Sequence, residues 1–260
     1  MAMVSLSGAF RKRVLMVYLT AGDPYVDSWV IETLSEHGVD IFEFGIPTAR
    51  PKYDGLTIKA SYRRAIESGV TLEKSFQFIE GFRLRHKVVL TYFEYARSIG
   101  LERLMSYALN AGAEGVLLPD LLIDYSEDAD VYVRLCKQYG FEPIFFITSS
   151  FPYKLISEVA RLNPAFIYMG LMASTGTLLP ITISRNISII KSLINNTPLL
   201  TGFAISEPKQ VLECIRAGAD GVVIGSAIIR LISGGGEKQH IKEELRNYIS
   251  SIKEALEAPV

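Results

Sequence analysis

One junction recurs along this chain and constrains its fold more than any other feature. His37-Gly38-Val39-Asp40, Ala111-Gly112-Ala113-Glu114 and Ala217-Gly218-Ala219-Asp220 each end an amphipathic stretch and lead at once into a short apolar run. Tyr139-Gly140-Phe141-Glu142 is a looser fourth copy. A glycine in the left-handed conformation closes a helix and turns the chain away from it. Each copy therefore marks a helix handing over to a strand. The runs that read as strands are Val14–Leu19, Ile41–Phe44, Val88–Thr91, Gly115–Leu118, Pro143–Ile147, Phe166–Met169, Pro198–Thr201 and Gly221–Ile224. They are short, rich in β-branched and aromatic residues, and apolar on both faces, as parallel strands covered by helices must be. Alternating β and α units make either an open doubly wound sheet or a closed barrel. Eight runs favour the barrel, and 260 residues suit a (β/α)8 (TIM) barrel, whose usual size is about 250.

We read residues 1–260 as a single barrel domain. Ser233-Gly234-Gly235-Gly236-Glu237 is a loop before a last helix, His240 to about Leu256, and not a domain boundary. With 27 basic against 28 acidic residues, the chain carries no electrostatic footprint for nucleic acid. The densest basic cluster, Arg83, Arg85, His86 and Lys87, reads as a solvated helix end. Cys136 and Cys214 lie far apart with no metal or redox spacing, and read as small buried apolar side chains. After Met1 to Arg13 the apolar run Val14–Leu19 is too short for a membrane span and lacks a cleavage site. The expectation is a cytoplasmic protein.

Reactive side chains of a parallel barrel lie at the carboxyl ends of its strands. Glu43 stands in the apolar run Ile41-Phe42-Glu43-Phe44, on the same face as Ile41. A carboxylate buried there must be paired or must change its pKa, so it is either a structural acid or a general acid/base. Asp54, eleven positions on, is either a turn or helix-cap residue or a second acid on the same loop. Gly225-Ser226 opens a helix after the last strand, where backbone amides bind phosphate. Gly202-Phe203-Ala204 ends the strand before it. Two glycine-bearing ends after strands 7 and 8 are either ordinary tight turns or, as their position matches, the usual phosphate site of barrel enzymes. Tyr168, near the end of strand 6, fits core or site. The following loop, Ser174-Thr175-Gly176-Thr177, fits a lid or a simple connection.

Together these segments resemble the tryptophan synthase alpha subunit family. Leu19-Thr20-Ala21-Gly22-Asp23-Pro24 is similar to its first-strand signature, and Phe42-Glu43-Phe44-Gly45-Ile46-Pro47 with Asp54-Gly55-Leu56-Thr57-Ile58 to its second-strand segment. Leu118-Pro119-Asp120-Leu121, Ser174-Thr175-Gly176, Gly202-Phe203-Ala204-Ile205-Ser206 and Gly225-Ser226-Ala227 follow in the family's order. The resemblance implies retro-aldol cleavage of indole-3-glycerol phosphate to indole and glyceraldehyde 3-phosphate, with no metal or organic cofactor. It implies that Glu43 shuttles protons and Asp54 takes up positive charge at the indole nitrogen. Tyr168 would line the site and Thr175 would hold Asp54. Gly176, Gly202, Phe203, Ala204, Gly225 and Ser226 would surround the phosphate. It implies a partner, the pyridoxal-phosphate-dependent beta subunit.

The chain departs from the family pattern in places. Where the family reads F-S-D-P-x-A-D-G-P, this chain has Thr48-Ala49-Arg50-Pro51-Lys52-Tyr53-Asp54-Gly55-Leu56. An acid has become Arg50 and a proline Leu56. Met172 stands where a basic residue is usual, and Ala204 replaces a glycine, narrowing the approach to phosphate by a methyl group. Two other readings compete. One is a different phosphate-binding barrel such as a sugar-phosphate isomerase or aldolase, although no strand ends in the lysine a Schiff-base aldolase needs. The other is a non-catalytic regulatory subunit that binds ligand and activates a partner.

Overall fold

The computed structural model describes residues 5–171 and 183–259. Eight strands form its centre: β1 (Val14–Thr20), β2 (Ile41–Gly45), β3 (Lys87–Leu90), β4 (Gly115–Leu117), β5 (Ile144–Thr148), β6 (Phe166–Gly170), β7 (Leu199–Gly202) and β8 (Gly221–Ile224). Each pairs in parallel with the next, and β8 returns to β1 to close the barrel. Every run read as a strand from the sequence is one, to within about a residue at each end. Around them lie α1 (Ser28–Glu36), α2 (Leu56–Glu67), α3 (Leu72–Glu80), α4 (Phe93–Ile99), α5 (Leu101–Asn110) and α6 (Leu121–Asp124). The ring continues with α7 (Ala129–Tyr139), α8 (Tyr153–Ala160), α9 (Ile183–Leu193), α10 (Pro208–Arg216), α11 (Ser226–Ser233) and α12 (Lys238–Glu257).

The recurring junction has two working parts. Gly38, Gly112, Gly140 and Gly218 have φ of 85°, 73°, 74° and 103°, the left-handed closure expected of them. The acid that follows each is the second part. Asp40 accepts the Leu15 N–H of β1 at 3.0 Å, and Asp220 the Leu199 N–H of β7 at 2.7 Å. Glu142 accepts the Ser7 N–H at 2.9 Å, and Glu114 bonds His86 Nδ1 at 2.6 Å. Two of the acids thus satisfy an amide within the first two residues of a strand. Cations hold these acids in turn. Lys12 and Lys253 reach Asp40 at 2.7 and 3.4 Å, and Lys191 pairs with Asp220.

The basic cluster divides, and half of it overturns the expectation. Arg83 and Arg85 are exposed, but His86 and Lys87 are buried. The Lys87 ammonium donates to the carbonyls of Ile79, Phe82 and Ala111. These are the last turns of α3 and α5, where unpaired carbonyls and the helix dipole favour a cation. Below the strands a short 3-10 turn, Leu6–Arg11, closes the floor, with Leu6 buried and Phe10 against Phe166 at 5.5 Å. Both cysteines are buried thiols, as anticipated. Among the described residues no helix is long and apolar enough to cross a membrane.

Two sequence signatures position the opposite end of the barrel. In Thr20-Ala21-Gly22-Asp23, the fully buried Asp23 carboxylate receives two bonds from the Arg64 guanidinium, at 2.6 and 3.1 Å. The Thr20 and Ser61 hydroxyls pair at 2.6 Å. Both contacts seat α2, the helix that follows Asp54, on β1. Asp120 of Leu118-Pro119-Asp120 accepts the Phe93 and Glu94 amides at 2.6 and 3.1 Å, capping α4 from the end of β4.

Candidate active site

Tyr18 and Glu43 are register partners on β1 and β2, so both side chains share one face. The face is the barrel interior, and Glu43 stands near its carboxyl-end mouth, 1% exposed. Among the described residues its Oε1 has no hydrogen-bond partner. Burial pushes the carboxyl up to about 8, and the negative charge of Asp54 adds to the shift. Asp54 reaches the same cleft from the loop between β2 and α2. It keeps an edge at the surface while protein atoms crowd its carboxylate. Desolvation raises it to about 6 against the Tyr92 hydroxyl, which donates to Oδ2 at 2.8 Å, and the positive charge of Lys59. Asp54 does not cap α2; that position belongs to Gly55. Two carboxyls of unequal environment thus share one enclosure, the arrangement that separates acid from base roles.

The cleft is lined by Glu43, Asp54, Tyr168, Phe203, Ala204, Gly225 and Ser226. These are seven of the ten residues singled out from the sequence. Thr175 and Gly176 lie outside the described residues, as do Met172, Ser174 and Thr177. Gly202 does not line the cleft. A Cβ there would overlap the Tyr168 side chain, so the glycine makes room for a tyrosine. The same relation repeats around the mouth. Tyr18 lies over Gly45, and Phe146 over Gly170. In each case the aromatic covers the glycine two residues beyond its partner on the next strand.

Sequence reasoning missed Tyr18, Tyr53, Leu90, Tyr92, Pro119 and Val223, which also line the cleft. Period-2 alternation back from Thr20 and forward from Val88 points to Tyr18 and Leu90, but only once barrel closure is assumed. Burial holds Tyr18, Tyr62 and Tyr168 well above the usual tyrosine range, so all three stay neutral beside the acids.

On the opposite wall, Phe203 and Ala204 both have positive φ, 66° and 71°. The chain turns sharply here, Phe203 packing on Phe146 and Tyr168 at 5.2 and 5.9 Å. An alanine in this conformation is strained by about 1–2 kcal/mol, so the methyl group of Ala204 burdens the backbone as well as narrowing the approach. Beside it, Gly225 precedes α11, and Gly225 and Ser226 border the cleft. First-turn amides have no acceptor within their own helix and favour anions. Among the described residues no group of three or more His, Cys, Asp or Glu side chains is placed to hold a metal ion.

A closed parallel barrel with paired acids and a helix start at the carboxyl ends of its strands has the layout of a barrel enzyme. The chain belongs to the tryptophan synthase alpha chain family, whose model matches residues 7–257. The tryptophan synthase alpha chain of Thermococcus kodakarensis is 33% identical, over 94% of this chain and 97% of that one. The alpha chain of Geobacter sulfurreducens is 34% identical, over 94% of each. Among solved structures, the tryptophan synthase α2β2 complex of Pyrococcus furiosus contains a chain similar at a TM-score of 0.81. It is 26% identical, covering 93% of this chain and 98% of that one.

Proposed function

We propose that the chain cleaves indole-3-glycerol phosphate to indole and glyceraldehyde 3-phosphate. The observation that carries this reading is the buried Glu43 carboxyl, facing a cleft that Asp54 also enters. With a pKa near 8, Glu43 holds its proton at neutral pH and can give it to the indole ring carbon. The carbon–carbon bond then breaks, and the glycerol hydroxyl becomes the aldehyde by releasing its own proton, which Glu43 takes back. Atoms and charge balance without oxidant or metal. Asp54, ionised above about 6, accepts the indole N–H as that nitrogen becomes positive. Tyr168 packs beside the ring, Thr175 holds Asp54, and amides around Gly176, Phe203, Ala204, Gly225 and Ser226 take the phosphate.

The reading takes the chain as one catalytic barrel in the cytoplasm, without a cofactor of its own. It delivers indole to a pyridoxal-phosphate-dependent beta subunit, in an assembly like the α2β2 complex of the Pyrococcus relative. The test is indole release from indole-3-glycerol phosphate, with and without a beta subunit, for wild type, Glu43→Gln and Asp54→Asn. Collapse in both folded variants supports the reading. No release from wild type even with a cognate beta subunit overturns it in favour of a ligand-binding regulatory subunit.

A further inference from the structure

The loop that carries Asp54 is tied at two points on opposite sides of a single residue. On the inner side, the Tyr92 hydroxyl accepts the Tyr53 N–H at 3.0 Å while donating to Asp54 Oδ2 at 2.8 Å. The Tyr53 and Tyr92 rings stack with centroids 6.4 Å apart. On the outer side, Asp124, the last residue of α6, accepts two donors on one oxygen. The Tyr53 hydroxyl reaches it at 2.8 Å and the Lys52 ammonium at 2.7 Å. The Lys52 ammonium also lies over the Tyr53 ring, 5.2 Å from its centroid.

Tyr53 is therefore held at its backbone by the segment after β3 and at its hydroxyl by α6. Two anchors at the ends of a rigid ring leave it little freedom to pivot, and Asp54 is the next residue. Tyr53 also forms the wall between the cleft and an outer groove bordered by Ile123, Phe146 and Phe203.

We infer that Lys52, Tyr53 and Asp124 form an intramolecular latch that positions Asp54 in the cleft. The inference rests on the proposed function only in taking Asp54 as a working group of the site. Lys52, Tyr53 and Asp124 are positioning residues: they act on turnover through the placement of Asp54. The Lys52–Asp124 pair is half exposed, so salt weakens the latch.

The test uses the full chain and indole release, comparing wild type, Asp124→Asn, Tyr53→Phe, their double variant and Asp54→Asn. Misplacing a catalytic group by 1 Å can lower the rate by about 10²-fold. The latch acts at one remove, so Asp124→Asn and Tyr53→Phe are each expected to lower kcat by roughly tenfold, a loss below that bound. KM should change less, and the acid limb of the pH profile should move with the environment of Asp54. The double variant should be no slower than Asp124→Asn alone, because both changes open one latch. Asp128→Asn, an acid nearby that pairs with Arg97 at 3.8 Å, should leave kcat and the acid limb unchanged. If Asp54→Asn abolishes turnover while both latch variants keep wild-type kcat and pH profile, the latch is overturned and the site stands. If Asp54→Asn turns over normally, the reading of the site fails first and the latch with it. Latch variants that lower the melting temperature but leave kcat and the acid limb in place show a structural tie only, which also overturns the inference.

Discussion

The floor of this barrel pairs its buried charge, whereas the mouth pairs Asp23 and Asp120 but leaves Glu43 apart. At the amino ends of the strands every buried charge described above has partners. Asp40 is held by Lys12, Lys253 and a backbone amide, and Lys87 by three carbonyls at two helix ends. At the carboxyl ends Glu43 is just as buried, yet one of its oxygens has no partner among the described residues. Paired charge ties strands and helices together. Unpaired charge is costly to ionise, and so yields a carboxyl poised to hold or release a proton near neutral pH. One fold thus uses the same residue types for cohesion at its floor and for reactivity at its mouth.

Glu43→Gln is the strongest way to break that comparison. Indole release should fall by roughly 10²–10⁴-fold, the range of a general acid/base contribution, with the fold intact. The folded protein holds the Glu43 proton up to about 8, whereas the unfolded chain releases it near 4.5, the ordinary value for glutamate. Stability therefore falls as pH rises between those two values, and is unaffected by this group below them. Thermal melts at pH 5 and pH 9 should show that slope in wild type and a shallower one in Glu43→Gln. A variant that simply unfolds would make Glu43 a floor-type residue after all.

Asp40→Ala probes the floor. Removing it strands the Leu15 amide and leaves Lys253 only the exposed Glu257 at 3.3 Å, at about 3 kcal/mol, the low end for breaking a buried pair. Denaturant titration should show that loss, while kcat per folded molecule stays unchanged. A drop in kcat would mean the two ends are coupled.

The pH dependence of kcat/KM sharpens the mouth. It should rise through about 6 as Asp54 ionises and fall through about 8 as Glu43 loses its proton. Asp54→Asn should remove the acid limb from whatever activity survives; a limb that persists belongs to another group.

The smallest effect is expected at Ala204→Gly. Relieving an alanine at φ 71° should stabilise the chain by about 1 kcal/mol. For a chain of this size that is roughly 2–4 °C in Tm, measurable by calorimetry. No rise would show that the packing of Phe203 compensates the strain.

The strands and their helix closures were legible because glycine, apolar runs and turn chemistry act locally. Glu43 was legible for a related reason: an acid in an apolar strand is conspicuous wherever the strand lies. Lys87 was misread because its partners are carbonyls, which any sequence supplies, brought from positions 79, 82 and 111 by the closure of the sheet. Tyr18, Tyr92 and Tyr53 were missed because isolated tyrosines look like core until the barrel sets them around one space. Gly202 was noticed for its approach to phosphate, although it accommodates the Tyr168 ring. That requirement exists only between neighbouring strands.

The aromatics that overlie Gly45, Gly170 and Gly202 make three mouth positions mutually dependent. No side chain can be added at these glycines unless Tyr18, Phe146 or Tyr168 is trimmed in the same step. A change in the shape of the opening must therefore arrive as a pair, each half harmful by itself. Lineages exploring new substrates with this barrel would meet valleys at those three pairs and open ground elsewhere on the rim. A library that varies each aromatic together with its glycine would cross them.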